Sequence, residues 1–462
     1  MSKVPLSALP VSTAATAQVA RLFRRAGFGA DRRTIDSWAA RGYTATVDNL
    51  LSFLPSNQRP DHAEVLAWEL VVANVSDASA NSVSMVTLMR LWLDRMARSA
   101  YPLEEKLTLY WHDHFATAWT KVGLMYLMLH QHNKLRIEAA GQFPRLCDAM
   151  TTDGAMLVWL DGQTNIAAAP NENYGREFLE LFTLGVNRYG QDDVVEASRA
   201  FTGWVPDGLG NATLDPALHD DAIKTILGQT GPWGATDVTQ IVLNHRDGGE
   251  AVAAYHVSRR MATFFHHPDP EPELIDAMAN AFVASGYQIK PMVRTMLLHP
   301  SFVEGAELTI KCPAELVAGA AKALQLNLKD DIGARVLTYD ELSIAMVSMG
   351  QELFNPPSVA GWRGGAGWAN SAATIARYNF ALRASQLTAD DVVGVTLDSV
   401  LGVARDTTRP WMDRLGMVSL LPQTAAAIDE YVTSARSAGL SADGVARGVL
   451  ALLLASPDYN LR

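Results

Sequence analysis

The chain has 462 residues, 48% of them hydrophobic and 19% charged, a balance that excludes a disordered or fibrous polymer. Its 49 acidic side chains outnumber 38 basic ones, giving a net charge of -11. A binder of nucleic-acid backbone needs the opposite surplus to displace counterions, so no nucleic-acid partner is expected.

The apolar patch at 4–11 is short and broken by Pro5 and Pro10, unlike an export signal. No apolar run approaches the roughly 20 residues that cross a bilayer. As it stands, the sequence therefore reads as cytoplasmic and without a membrane span, or as a mature form whose signal has been removed. Met85, Leu88, Met89, Trp92, Leu93 and Met96 recur at helical spacing and predict an amphipathic helix.

The next helix, over 103–115, ends in Trp-His-Asp-His-Phe and aligns His114 with Leu103, Leu107 and Trp111. His112 stands about 200° away around the same helix. The two imidazoles can share a metal only if the helix ends between them. They are the candidate metal ligands, and a divalent metal suits their chemistry. His130 and His132 form a second His-x-His pair that reads as surface. Cys147 and Cys312, the two cysteines, sit in no redox motif and are expected to be reduced and inert. Arg145 and Lys311 nearby leave a lowered thiol pKa open.

The segments 161–170, 206–234 and 355–370 are long irregular connections, which in a helical protein are often functional. A short hairpin fits within 204–234. Between the first two lies the densest stretch, Pro170-Asn-Glu-Asn-Tyr-Gly-Arg-Glu-Phe-Leu-Glu-Leu-Phe-Thr-Leu-Gly-Val186. Asn171 is placed to cap a helix whose buried stripe is Tyr174, Phe178, Leu181 and Gly185. Asn173, Glu177 and Glu180 stack along one edge. A carboxylate beside that stripe is desolvated and its pKa rises, unless Arg176 or Arg199 compensates. Such a pair suits general acid–base work, and equally a buried Glu–Arg network that fixes packing.

Val194, Ala197, Phe201 and Trp204 predict a helix entered through Asp192. His219-Asp220 follows in the long loop, with Lys224 close behind. Helices are expected over 249–265 and 310–324, the latter with Pro313 near its start. The Gly-rich run at 361–367 follows no strand and opens no helix, so no nucleotide cofactor is expected. Trp362 and Trp368 offer flat apolar faces suited to sugar rings or to packing. GxSxG, P-loop and HExxH signatures are absent. Beyond 386 the sequence turns to plain helical packing.

These ordered segments resemble a large bacterial family known as domain of unknown function 1800. The markers run from Val19-Ala-Arg-Leu-Phe-Arg-Arg-Ala-Gly-Phe-Gly29, through Trp111-His-Asp-His-Phe115 and the 171–185 segment, to Ala200-Phe-Thr-Gly-Trp204. They continue with His219-Asp220, Gly350-Gln-Glu-Leu-Phe-Asn-Pro-Pro-Ser-Val-Ala-Gly-Trp362 and Ala376-Arg-Tyr-Asn379. The family pattern covers His112, His114, Glu172, Glu177, Glu180, Arg199 and His219, and does not call for His130 or His132. The resemblance implies frequent export and sulfatase-like proteins as partners, and it supplies no reaction.

The expected fold is mainly α, a multi-helical core at 1–385 with a helical C-terminal extension at 386–462 packed on it. The leading expectation is an enzyme whose acid–base cluster is Glu177, Glu180, His114 and His219. Asn171, Glu172, Asn173, Arg176, Arg199, Trp204, Asp220 and Trp362 would bind a polar, carbohydrate-like substrate. A non-catalytic scaffold for a partner protein is the rival, and a metal or haem carrier the third reading.

Overall fold

The computed structural model describes residues 14–59, 78–208, 210–305, 308–326, 339–386 and 408–462. Apolar stripes become buried helix faces throughout, and the fold is mainly α. The helices that matter here are α1 (Ala14–Arg25), α2 (Arg32–Arg41), α3 (Ala78–Arg98), α4 (Pro102–His114) and α5 (Met125–Ile137). They are followed by α6 (Glu172–Glu177), α7 (Gln191–Ala200), α8 (Val252–Phe265), α9 (Pro313–Leu324), α10 (Ser371–Ser385) and α11 (Ala442–Ala455). Helix α6 runs on into a wide π-helix, Phe178–Leu184. All six apolar residues of the predicted α3 stripe are buried. Among the described residues, no helix is long and apolar enough to cross a membrane.

Strand structure is limited, among the described residues, to three antiparallel hairpins. Trp204–Pro206 pairs with Ala212–Leu214, and Lys224–Ile226 with Gln229–Gly231, so the loop expected to hold one hairpin holds two. The third pairs Arg246–Asp247 with Glu250–Ala251. Its two-residue turn is Gly248-Gly249, both at positive φ, which matches the twist of the flanking strands. That turn moves the start of α8 from the expected 249 to Val252. Helix α7, by contrast, starts earlier than expected, with Gly190 rather than Asp192 as its cap and the Asp193 carboxylate accepting the Gly190 N–H.

The apolar core falls into two clusters. One joins α1, α6, α8 and the helices within 272–304; the other joins α3, α9, α10 and α11. Helix α4 runs between them, sending Leu103, Leu107, Tyr110 and Trp111 into the first and Leu109 into the second. Even its charged residues Glu104, Glu105 and Lys106 are fully buried. Each finds a counterion from elsewhere: Arg59 lies 2.6 Å from Glu104, Arg136 pairs with Glu105, and Lys106 pairs with Glu315. Arg462, the last residue, reaches the same Glu315 at 3.2 Å. The C-terminus is held there by backbone bonds between 309–311 and 460–462. This ion-paired axle fixes the far end of α4, where the candidate site begins.

Both cysteines are buried and unbridged. Burial pushes the Cys147 thiol well up and the Cys312 thiol up to about 12, despite Arg145 and Lys311 nearby.

Candidate functional site

A cleft of about 770 Å³ opens along the seam between the two cores. Helix α4 contributes Tyr110 and Asp113, the π-helix contributes Glu180 and Leu181, and the Gly-rich loop contributes Trp362 and Trp368. Helix α8 supplies His256, Arg259, Arg260, Thr263 and Phe264. These five follow an i, i+3, i+4, i+7, i+8 pattern, so they form one face of the helix.

Asp113 is held by the Gly-rich loop. Its Oδ1 accepts the Trp362 backbone N–H at 2.6 Å. A Cβ on Gly361, at φ +85°, would lie 2.3 Å from that oxygen, so only glycine permits the approach. Burial raises the Asp113 carboxyl to about 6, with the Trp362 N–H and Arg260 acting the other way. Among the described residues, Arg259 and Arg260 have no hydrogen-bond or ion-pair partner. The Tyr110 hydroxyl and the Trp362 indole N–H are buried, also without a partner there. Buried polar groups are normally satisfied, so these point to something that enters the cleft.

The π-helix explains how Glu180 reaches the wall. Leu181 and Phe182 stand in its last turn, where carbonyls have no intrahelical donors, and two histidines supply them. His114 Nε2–H donates to the Phe182 carbonyl at 3.0 Å, and His256 Nε2–H to that of Leu181 at 3.1 Å. Burial keeps both imidazoles neutral, His114 well below its usual value and His256 at about 4. His256 packs so closely on Gly185, at φ +88°, that a Cβ there would lie 2.8 Å from its Nδ1. The Tyr189 hydroxyl donates to Glu180 Oε2.

Of the catalytic and substrate-binding residues expected from sequence, Glu180 and Trp362 alone lie in this wall, joined by Trp368, the other tryptophan expected to offer a flat face. Glu177 is half-buried outside it, its carboxyl raised by burial and then by the charge of Glu180. His114 is buried beneath the wall, among Tyr110, Trp111, Phe115 and Phe182. His219 belongs to the 206–234 loop, where its Nδ1 faces the Thr202 carbonyl at 2.9 Å. The stripe expected through Leu181 shifts to Phe182, which is fully buried, because a π turn holds an extra residue.

Asn171 does cap α6, accepting the Asn173 N–H at 2.9 Å. Asn173 donates to Asp161, and Arg176 pairs with Glu172 at 2.8 Å. Arg199 is held by Glu196 and Asp220 at 2.8 and 2.7 Å. Both arginines are thus occupied by carboxylates of the chain itself. Trp204 lies half-buried in the first strand.

His112 and His114 occupy separate surroundings. His112 packs with Trp92, Phe354 and Trp362, burial lowering it to about 3. His132, expected at the surface, is buried against Trp92 and Phe354, whereas His130 is half-buried. Among the described residues, no three His, Cys, Asp or Glu side chains converge as metal ligands.

Sequence reasoning missed Tyr110, Asp113, His256, Arg259 and Arg260. The α8 residues carried a usable signal, a polar stripe at helical period opposite the apolar one. Asp113 lies within the marker segment 111–115, but its hydrogen-bond partner Trp362 is 249 residues away, so no local pattern set it apart from His112 and His114. A family model described as "Protein of unknown function (DUF1800)" matches residues 21–461. No curated protein matches the chain, and no solved structure matches it.

Proposed function

We propose that this chain, which belongs to the DUF1800 family, is an enzyme that moves a proton on a small amphipathic anion bound in the cleft. One observation carries the reading: two arginines with no hydrogen bond or ion pair among the described residues share a cleft with a carboxyl poised at about 6. A guanidinium fork matches the geometry of carboxylate or phosphate. The apolar body of the ligand would lie against Phe264, Ile310, Trp362 and Trp368, which complete the wall. At neutral pH Asp113 is mostly ionised and accepts a proton, while its near-neutral pKa allows it to return one. Glu180, oriented by Tyr189, is the second carboxylate. Glu177 acts on Glu180 through charge, and His114 and His256 hold the π turn that presents it. In this reading His219, Arg176 and Arg199 organise the neighbouring loop.

Thermal-shift measurements with aromatic carboxylates such as cinnamate and phenylpyruvate test the binding. Wild type is expected to melt higher with ligand, and an Arg259→Gln/Arg260→Gln variant to show no shift. Binding anions are then incubated in heavy water. Wild type should exchange a ligand hydrogen, and Asp113→Asn should bind without exchange. Absence of saturable anion binding in wild type, or undiminished exchange in Asp113→Asn, overturns the reading.

A further inference from the structure

A second cavity, of about 270 Å³, lies among α1, α2, α9 and the C-terminal residues and shares no wall residue with the cleft. Four cations line it, Arg24, Lys311, Lys322 and Arg414, against one carboxylate, Asp31. Asp31 is already engaged as the cap of α2, accepting the Thr34 N–H at 2.7 Å. Arg414 donates to the Ala323 carbonyl at 3.3 Å. The other three cationic groups have no hydrogen bond or ion pair among the described residues, and Arg24 Nε is buried without an acceptor.

Nearby acids do not make up the deficit. Asp458 feels Arg24, but its oxygens take the Leu421 N–H and the Thr424 hydroxyl, each at 2.7 Å. Glu315 is shared by Lys106 and Arg462. Lys311 is only 5% exposed, with its ammonium 3.8 Å from the centre of the Tyr459 ring. Burial, then repulsion from Arg24, holds Lys311 well below the usual lysine value; burial, with Asp31 acting the other way, brings Lys322 down to about 8. Uncompensated buried charge is costly, and a cavity walled by it is stabilised by whatever anion fills it.

We propose that this cavity is a binding site for a phosphoryl group, carried by inorganic phosphate or by a small phosphate ester. Three cations with no hydrogen bond or ion pair among the described residues suit a dianion with several acceptor oxygens better than a single carboxylate. The Arg24 guanidinium would supply paired donors, Lys311 and Lys322 point charges, and Tyr459 an aromatic wall.

Calorimetric titration of the full chain with inorganic phosphate and with glycerol 3-phosphate, at matched ionic strength, tests the site. Saturable one-site binding is expected for at least one of them, and the tighter of the two identifies the source. Lys311→Met and Lys322→Gln should each weaken it by about tenfold or more. Lys322 is only half-buried, so its variant keeps the test valid if Lys311→Met fails to fold. Arg260→Gln, which alters the cleft alone, should leave phosphate binding unchanged. The proposal is overturned if wild type binds neither ligand, if the two lysine variants bind as wild type does, or if Arg260→Gln abolishes binding.

Discussion

Asp113 shows how a single residue can be placed against its own solvation. Its folded-state pKa, about 6, lies above the value near 4 of an unfolded aspartate. The folded state therefore holds the proton more tightly. Its contribution to stability is complete below pH 4 and is lost as pH rises through 6. Asp113→Asn keeps an acceptor for the Trp362 N–H and removes the charge. We expect this variant to melt higher than wild type at pH 8, by on the order of 1–2 kcal/mol, with the gain vanishing near pH 4. Melting curves at both pH values check it, and a variant less stable at pH 8 would contradict the burial argument. Asp113 sits within the 111–115 marker, but nothing local told it apart from the histidines beside it, because it is the Gly-rich loop that closes over it.

At the scale of elements, the π-helix is the device that converts a predictable segment into a site. A cap at Asn171 and apolar periodicity made a helix legible over 172–184. The extra residue per turn was not legible, because it depends on donors from α4 and α8 that satisfy the widened turn's carbonyls. His114→Phe retains an aromatic ring but leaves the Phe182 carbonyl unsatisfied. We expect a loss of about 1–3 kcal/mol in stability, measured by denaturant unfolding. Hydrogen exchange on a bound anion should slow as well, since Glu180, the second carboxylate of the cleft, loses its support. A variant of unchanged stability would show that the π turn does not need its histidine donor.

The whole molecule responds to acid through its buried imidazoles. His112 stands at about 3, His256 and His266 at about 4, and His114 and His132 well below the usual 6.5, each chiefly through burial. The unfolded chain binds these protons and the folded one does not, so stability is complete above 6.5 and falls as pH drops towards 4. Asp113, Asp148, Asp153 and Glu177 are raised and work in the opposite sense. Folded Asp113 takes up its proton near pH 6 and offsets part of the loss, but five unfolded imidazoles take up theirs from 6.5 downward and outweigh it. The melting temperature is therefore expected to fall steadily from pH 7.5 to pH 5, and a rise over that range would refute the balance drawn here.

What the sequence determined by itself was the family, the mainly α class, the position of the main stripes and Asn171 as a cap. Those depend on order and period along one chain, and local pattern records them. Only the tertiary structure decided which charges are buried. Glu104, Glu105 and Lys106 are three charges in a row, and all three are enclosed because Arg59, Arg136 and Glu315 meet them from distant segments. The cleft arose in the same way, from groups on segments far apart along the chain. A buried charge is tolerable only where its partner arrives in space, and that arrival is a property of the packed chain, not of any stretch of it.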